Sequence, residues 1–265
     1  MLRSALLNVM VAAARKAARS LSRDFREVEK LQVSVKGPGN FVSAADHRAE
    51  SILREELAKA RPGYGFLGEE GGLVAGTDTT HTWIVDPLDG TTNFLHGIPQ
   101  FCISIGLERQ GTMVAGVIYD PIADELFTAE RGKGAFLNDQ RLRVAARRDL
   151  GEAVFACGLP HRGRGDLALF RREFEAIADK IAGLRRFGSA ALDLAWVAAG
   201  RLDAYWERSL SPWDMAAGIA LVREAGGFVT DLDGREDMLK TGAIIAATDA
   251  IHRELLQTLK AARKA

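Results

Sequence analysis

The stretch Trp83–Phe94, WIVDPLDGTTNF, runs an apolar segment straight into two aspartates, Asp86 and Asp89, followed by a glycine and two threonines. Carboxylates at the end of a buried strand are costly unless something neutralises them. No lysine or arginine lies within the stretch, so a bound cation is the simplest partner. Carboxylate and carbonyl oxygens suit Mg²⁺, Mn²⁺ or Ca²⁺; zinc or copper would call for thiolate and imidazole. Pro87 stiffens the turn so that Asp86 and Asp89 can converge, and Gly90 lets the backbone come close to a ligand. A helix starting near Thr91 would offer free N–H groups to an anion. Acidic metal ligands beside an anion cradle suit phosphoryl transfer or phosphate hydrolysis.

Two other segments supply the same chemistry. GEEGG, residues 68–72, places Glu69 and Glu70 side by side in a glycine-flanked loop, and SPWDMAAG, residues 211–218, places Asp214 at the start of a helix. Each has a plainer reading alone: an Asp-rich turn capping a helix, a solvated acidic pair, an Asp answering a helix dipole. Three such segments, each at a strand–loop or loop–helix junction, make a metal-site pattern. Rival constellations are missing from the sequence: there is no G-x-x-x-x-G-K-[ST], no G-x-S-x-G, no G-x-G-x-x-G after a strand, and no H-x-x-x-H among the five histidines.

The elements that must position these residues divide into two styles. Residues 1–30 read as an amphipathic helix with Leu2, Leu6, Val9, Ala13 and Ala17 at helical spacing; its Arg- and Ala-rich start, with no acid before Asp24, also has the look of a transit peptide. A Gly37-Pro38-Gly39-Asn40 turn follows, then a helix to about Lys59 with Ile52 and Leu53 inward and its charges outward. GYGFLGEEGG is a strand running into a loop, HTWIVDP a buried strand, and FCISIGLERQGTMVAGVIYDP a hairpin turning at Gln110-Gly111. FCISIGL is apolar enough for core or for an interface, and core is the preferred reading. After further short strands the pattern becomes strand–helix alternation, which predicts a parallel or mixed sheet. The expected boundary gives subdomains 1–145, with a largely antiparallel sheet, and 146–265.

Composition closes off other classes. The chain has 265 residues, 47% of them hydrophobic, which is ample for a core. Its formal net charge of +0 argues against nucleic-acid binding by bulk positive field. Cys102 and Cys157 form no close pair in sequence, so no disulfide is expected and a reducing, cytoplasmic setting is the default. No apolar run is long enough to span a membrane.

At GEE (68–70), WIVDPLDGTTNF (83–94) and WDMAAGIALVREAGG (213–227), in that order, the sequence resembles the inositol monophosphatase family, with FGSAALDLAWVAAGRLDAYWE (187–207) fitting its substrate-side segment. The likeness begins at the first helix, which counts against a cleaved transit peptide. It implies an α/β fold with α+β character, a layered αβαβα sandwich of the inositol monophosphatase and fructose-1,6-bisphosphatase type. It implies two or three Mg²⁺ ions, replaceable by Mn²⁺: one held by Glu69, Asp86 and the Leu88 carbonyl, a second by Asp86, Asp89 and Asp214, with Glu70 the next carboxylate out. Backbone N–H groups of Gly90 and Thr91 would grip phosphate, and Thr91 with Asp46 would orient and deprotonate the attacking water. Gly188, Ser189, Ala190 and Glu207 would line the alcohol side, Arg186 would contact substrate, and Lys36 would lie in a closing loop. The implied activity is hydrolysis of inositol 1-phosphate without a covalent enzyme intermediate, with lithium sensitivity and a homodimer. Fructose 1,6-bisphosphate, histidinol phosphate, NADP and 3′-phosphoadenosine nucleotides are the alternative substrates. A regulatory role with a protein, nucleic-acid or transcription-machinery partner is the alternative class.

Overall fold

A computed structural model describes residues 3–27, 33–35, 41–160 and 165–264. The first half contributes helix α1 (Ala5–Phe25), strands β1 (Val33–Val35) and β2 (Phe41–Ser43), helix α2 (Ala44–Ala60), strands β3 (Tyr64–Gly68), β4 (Gly72–Val74) and β5 (Asp78–Asp89), and short helix α3 (Thr91–Leu95). Strands β6 (Cys102–Arg109), β7 (Thr112–Asp120), β8 (Glu125–Glu130), β9 (Gly134–Leu137) and β10 (Gln140–Arg141) complete its sheet. The second half alternates: β11 (Val154–Cys157), α4 (Leu167–Ala178), β12 (Gly183–Arg185), α5 (Ala190–Ala198), β13 (Ala204–Glu207), α6 (Pro212–Glu224), β14 (Phe228–Thr230), α7 (Met238–Thr241), β15 (Ile244–Ala247) and α8 (Asp249–Lys264).

Among the described residues, β1 and β2 pair as a small ribbon beside two larger sheets, one of eight strands ordered β10-β9-β8-β7-β6-β5-β3-β4 and one of five ordered β12-β11-β13-β15-β14. The eight-stranded sheet is antiparallel except where β3 runs parallel to β5, and the five-stranded sheet is mixed, β12, β11 and β13 parallel and β15 antiparallel to its neighbours. Helices α1 and α2 cover one face of the larger sheet, α5 and α6 fill the space between the sheets, and α4 and α8 cover the far side. The layering is therefore αβαβα, as the resemblance implied.

Local chemistry explains the parts that matter here. Ser4 caps α1 by accepting from the Leu7 N–H at 3.1 Å, and Met10, Ala14, Ala17 and Leu21 are wholly buried along one face. The Arg- and Ala-rich start is thus a helix of the core. Gly106 on β6 and Gly116 on β7 let α6 lie close to the sheet: a Cβ at Gly106 would meet Ala216 Cβ at 2.7 Å, and one at Gly116 would meet the Ala217 carbonyl at 2.5 Å. That seating fixes the N-terminus of α6, where Asp214 sits, against strands from the other half of the chain. FCISIGL is buried within the chain, both cysteines are free thiols, and no helix among the described residues is long and apolar enough to cross a membrane.

Candidate active site

Asp86 and Asp89 lie at the end of β5. On a regular strand, residues three apart point to opposite faces. The pairing of β5 with β6 is irregular between Asp86 and Asp89, around Pro87, and such a bulge re-aims side chains. Both carboxylates therefore turn towards one locus, and Asp86 Oδ1 accepts the Leu88 N–H at 2.9 Å. Asp214 joins them from α6. It is the third residue of the helix and completes a capping box with Ser211: its Oδ2 accepts the Ser211 N–H at 2.8 Å, and Pro212 opens the helix. The capping reading of Asp214 is correct, and it leaves the other carboxylate oxygen available. One oxygen from each of Asp86, Asp89 and Asp214 lies within 4.8 Å of the others, and the same holds for Asp46, Glu69 and Glu70.

The two clusters adjoin. Burial, then the charges of Glu69, Asp89, Asp214 and Asp46, hold the Asp86 carboxyl well above the ordinary carboxylate range. Burial and then Asp89 do the same to Asp214, against the opposing Ser211 N–H, with Glu69 and Glu207 adding to the rise. Asp89 is raised by burial, and the Ser189 hydroxyl, the Ala191 and Ala190 N–H groups and the Arg186 charge all pull it back. At an effective dielectric of about 20, two carboxylate charges 4.8 Å apart repel by roughly 3.5 kcal/mol, so three mutual pairs exceed about 10 kcal/mol. That rivals the whole stability of a domain, roughly 5–15 kcal/mol. No ion pair to Asp86, Asp89 or Asp214 forms among the described residues. The donor set is all oxygen and strongly anionic, with no thiolate or imidazole in either trio. It fits hard divalent cations.

The surroundings hold these groups in place. Gly90 takes φ 93°, and a Cβ there would meet the Gln100 carbonyl at 2.7 Å. Thr91 begins α3; its hydroxyl lies 2.9 Å from the Leu88 carbonyl and 3.3 Å from Asp46 Oδ2. Asp46, in the first turn of α2, is buried. Ser189, expected on the alcohol side, is also buried; its hydroxyl donates to Asp89 Oδ2 at 2.6 Å, and the Ala191 N–H donates to the same oxygen at 2.7 Å. Gly188 takes φ 89° just before it, and Ala190 opens α5. Arg186 is exposed, close enough for its charge to act on Asp89. Glu207 ends β13 and accepts from the Tyr205 hydroxyl. Lys36 and the turn at 37–40 lie outside the described residues.

Two residues escaped the sequence reading. Glu50 was among the α2 charges expected to face outward; it is buried, and its two oxygens accept the Glu70 and Gly71 N–H groups at 2.8 and 2.7 Å. It shapes the turn that presents Glu69 and Glu70. Its signal was its place one turn after Asp46 on the same helix face. Asn93 donates to both the Gln100 and Phe187 carbonyls at 2.8 Å, tying α3 to the segment before Gly188.

The profile of the family described as "Inositol monophosphatase family" matches residues 2–264. The chain belongs to the inositol monophosphatase family. The chain is 63% identical to a Mesorhizobium japonicum protein called inositol-1-monophosphatase, over 98% of each chain. It is 42% identical to a Pseudomonas aeruginosa protein called Nus factor SuhB, over 96% of each. Among solved structures, extragenic suppressor protein suhB from Bartonella henselae superposes with a TM-score of 0.94 at 58% identity, covering 97% of this chain and 99% of that one. The inositol monophosphatase family is metal-dependent, which agrees with the two carboxylate trios.

Proposed function

We propose that the protein is a Mg²⁺-dependent phosphomonoesterase that hydrolyses inositol 1-phosphate to inositol and inorganic phosphate. The observation that carries the reading is the convergence of Asp86, Asp89 and Asp214 on one locus, next to Asp46, Glu69 and Glu70. The similarity to the Mesorhizobium japonicum inositol-1-monophosphatase supports the substrate.

In this reading Glu69, Asp86 and the Leu88 carbonyl would hold one Mg²⁺, and Asp86, Asp89 and Asp214 a second, with Glu70 the next carboxylate beside the first. Bound divalent ions lower the pKa of water and offset charge on the phosphoryl and leaving oxygens. The chain's own groups do the rest. The Gly90 and Thr91 N–H groups orient the phosphate. Thr91 Oγ1 takes a proton from the attacking water as its own proton passes to Asp46 Oδ2, 3.3 Å away. The Leu88 carbonyl competes for that same hydroxyl proton, so a carbonyl engaged elsewhere leaves the Thr91 proton to Asp46. Ser189 and Ala191 fix Asp89 so that its second oxygen points into the site. Glu207 and Arg186, with Gly188 and Ala190, face the alcohol. The site lies where subdomains 1–145 and 146–265 meet. We place the enzyme in the cytoplasm as a homodimer.

The presence of all six acidic side chains favours catalysis over a purely regulatory scaffold, the reading suggested by the more distant Nus factor relatives. The test is kcat/KM with Mg²⁺ for inositol 1-phosphate, fructose 1,6-bisphosphate, histidinol phosphate, NADP and 3′-phosphoadenosine 5′-phosphate. Inositol 1-phosphate should lead, and EDTA should abolish turnover. Preference for another of the five would overturn the substrate, and activity unaffected by EDTA would overturn the metal chemistry.

A further inference from the structure

The Glu207 carboxylate is held from two sides. Tyr205, two residues earlier on the same face of β13, is wholly buried, and its hydroxyl donates to Glu207 Oε2. A buried tyrosine hydroxyl needs a polar partner, and Glu207 is that partner. Gly158 lies on the other side, just past the end of β11. Strand β11 runs parallel to β13 with Cys157 opposite Trp206, and the Gly158 N–H extends the ladder by donating to the Trp206 carbonyl at 3.3 Å. A Cβ built on Gly158 would fall inside the Glu207 carboxylate: its three nearest atoms are Glu207 Cδ, Oε1 and Oε2. Gly158 is not among the residues with positive φ, so its backbone suits any side chain. The glycine is needed for the space beside it and not for its conformation. Gly158 and Glu207 also line one pocket, together with Trp206 and Arg208, and Arg208 is tied down by an ion pair to the buried Glu173.

We propose that Gly158 is a positioning residue for substrate choice: its missing side chain, together with the Tyr205 hydroxyl, aims the Glu207 carboxylate at the hydroxyls of a polyol phosphate. This rests on the function proposed above. The carboxylate is the far end of a flexible side chain, so an alanine at 158 displaces it, and the main cost to the fold is the hydrogen bond from the Tyr205 hydroxyl. What changes is where the acceptor points. Hydrogen bonds from substrate hydroxyls to a charged acceptor are worth on the order of tenfold to a hundredfold in discrimination.

The experiment compares kcat/KM for inositol 1-phosphate with that for phenyl phosphate, an ester without polyol hydroxyls, in Mg²⁺-loaded wild type, Gly158→Ala, Tyr205→Phe, Glu207→Ala and the double variants Gly158→Ala/Glu207→Ala and Tyr205→Phe/Glu207→Ala. Gly158→Ala should lower the inositol-to-phenyl ratio by about tenfold, chiefly through KM for inositol 1-phosphate. Tyr205→Phe should lower it by less. Neither change should lower it further once Glu207 is alanine, because both act through that carboxylate. An unchanged ratio in Gly158→Ala, an equal loss on both esters, or a loss that adds in full to that of Glu207→Ala overturns the proposal. Should Gly158→Ala fail to fold, the Tyr205→Phe cycle decides by the same criteria. Wild type that ignores inositol 1-phosphate overturns the proposed function, and this inference with it; wild type and Glu207→Ala behaving as expected while Gly158→Ala and Tyr205→Phe are silent overturns this inference alone.

Discussion

Replacing Asp86 with asparagine should move stability and activity in opposite directions. Asp86 is buried among Glu69, Asp89, Asp214 and Asp46, and an asparagine in its place could still accept the Leu88 N–H while its amide donates to a neighbouring carboxylate. The change removes a charge that repels each of Asp89 and Asp214 by roughly 3.5 kcal/mol at a 4.8 Å separation. Without metal the wild type relieves part of that repulsion by holding protons, so the gain should be about 1–3 kcal/mol at pH 8. For a chain of this size that is roughly 3–10 °C in melting temperature. With Mg²⁺ at about a hundred times Kd, wild type gains about 2.7 kcal/mol and the variant loses most of that gain. The order of melting should therefore reverse: the variant above wild type in EDTA, and below or level with it in Mg²⁺, with turnover down by orders of magnitude. Differential scanning fluorimetry in the two buffers reads this directly. A variant that melts below wild type in EDTA, or that climbs with Mg²⁺ as wild type does, refutes the claim that these carboxylates are stabilised by a cation.

The other predictions follow from the same geometry. Asp86 and Asp214 have carboxyls raised in the folded state, so their contribution to metal-free stability is fully present below the unfolded carboxylate pKa and is lost as pH rises through the folded values; the Mg²⁺-induced increase in melting temperature should grow from pH 5 to pH 8, and a flat profile would contradict it. Glu50→Gln leaves the Glu70 or the Gly71 N–H facing an amide, which should cost about 1–3 kcal/mol and weaken metal binding roughly tenfold to a hundredfold, as measured by calorimetry. Asp214→Asn keeps an acceptor for the Ser211 N–H, so α6 should stay intact by circular dichroism while turnover falls by orders of magnitude. Gly90→Ala combines positive φ with a clash at the Gln100 carbonyl and should cost more than about 2 kcal/mol, read by denaturant unfolding.

What the sequence revealed depended on how local the cause was. Asp86 and Asp89 could be paired from sequence because a proline between them signals the irregular strand that turns both one way. Asp214 could be placed because Ser211 and Pro212 mark a helix start. Glu50 was misplaced because an acid on a charged helix looks solvated until the β3–β4 turn that needs its two oxygens is folded against it. Ser189 was placed on the alcohol side by the family resemblance; that its hydroxyl also donates to Asp89 could not be read locally, because Asp89 lies a hundred residues away in sequence. The short strand β4 read as loop, and the parallel β3–β5 pairing was invisible because a run of short strands does not state its order in the sheet. The αβαβα layering came from the family resemblance; the residue pattern by itself gave only an antiparallel-looking first half and strand–helix alternation in the second.

The most direct test is anomalous diffraction from crystals soaked in Mn²⁺. The account predicts peaks within coordinating distance of Asp86, one shared with Asp89 and Asp214 and one towards Glu69 and the Leu88 carbonyl. Well-ordered crystals with those side chains in place and no anomalous density beside Asp86 would contradict it.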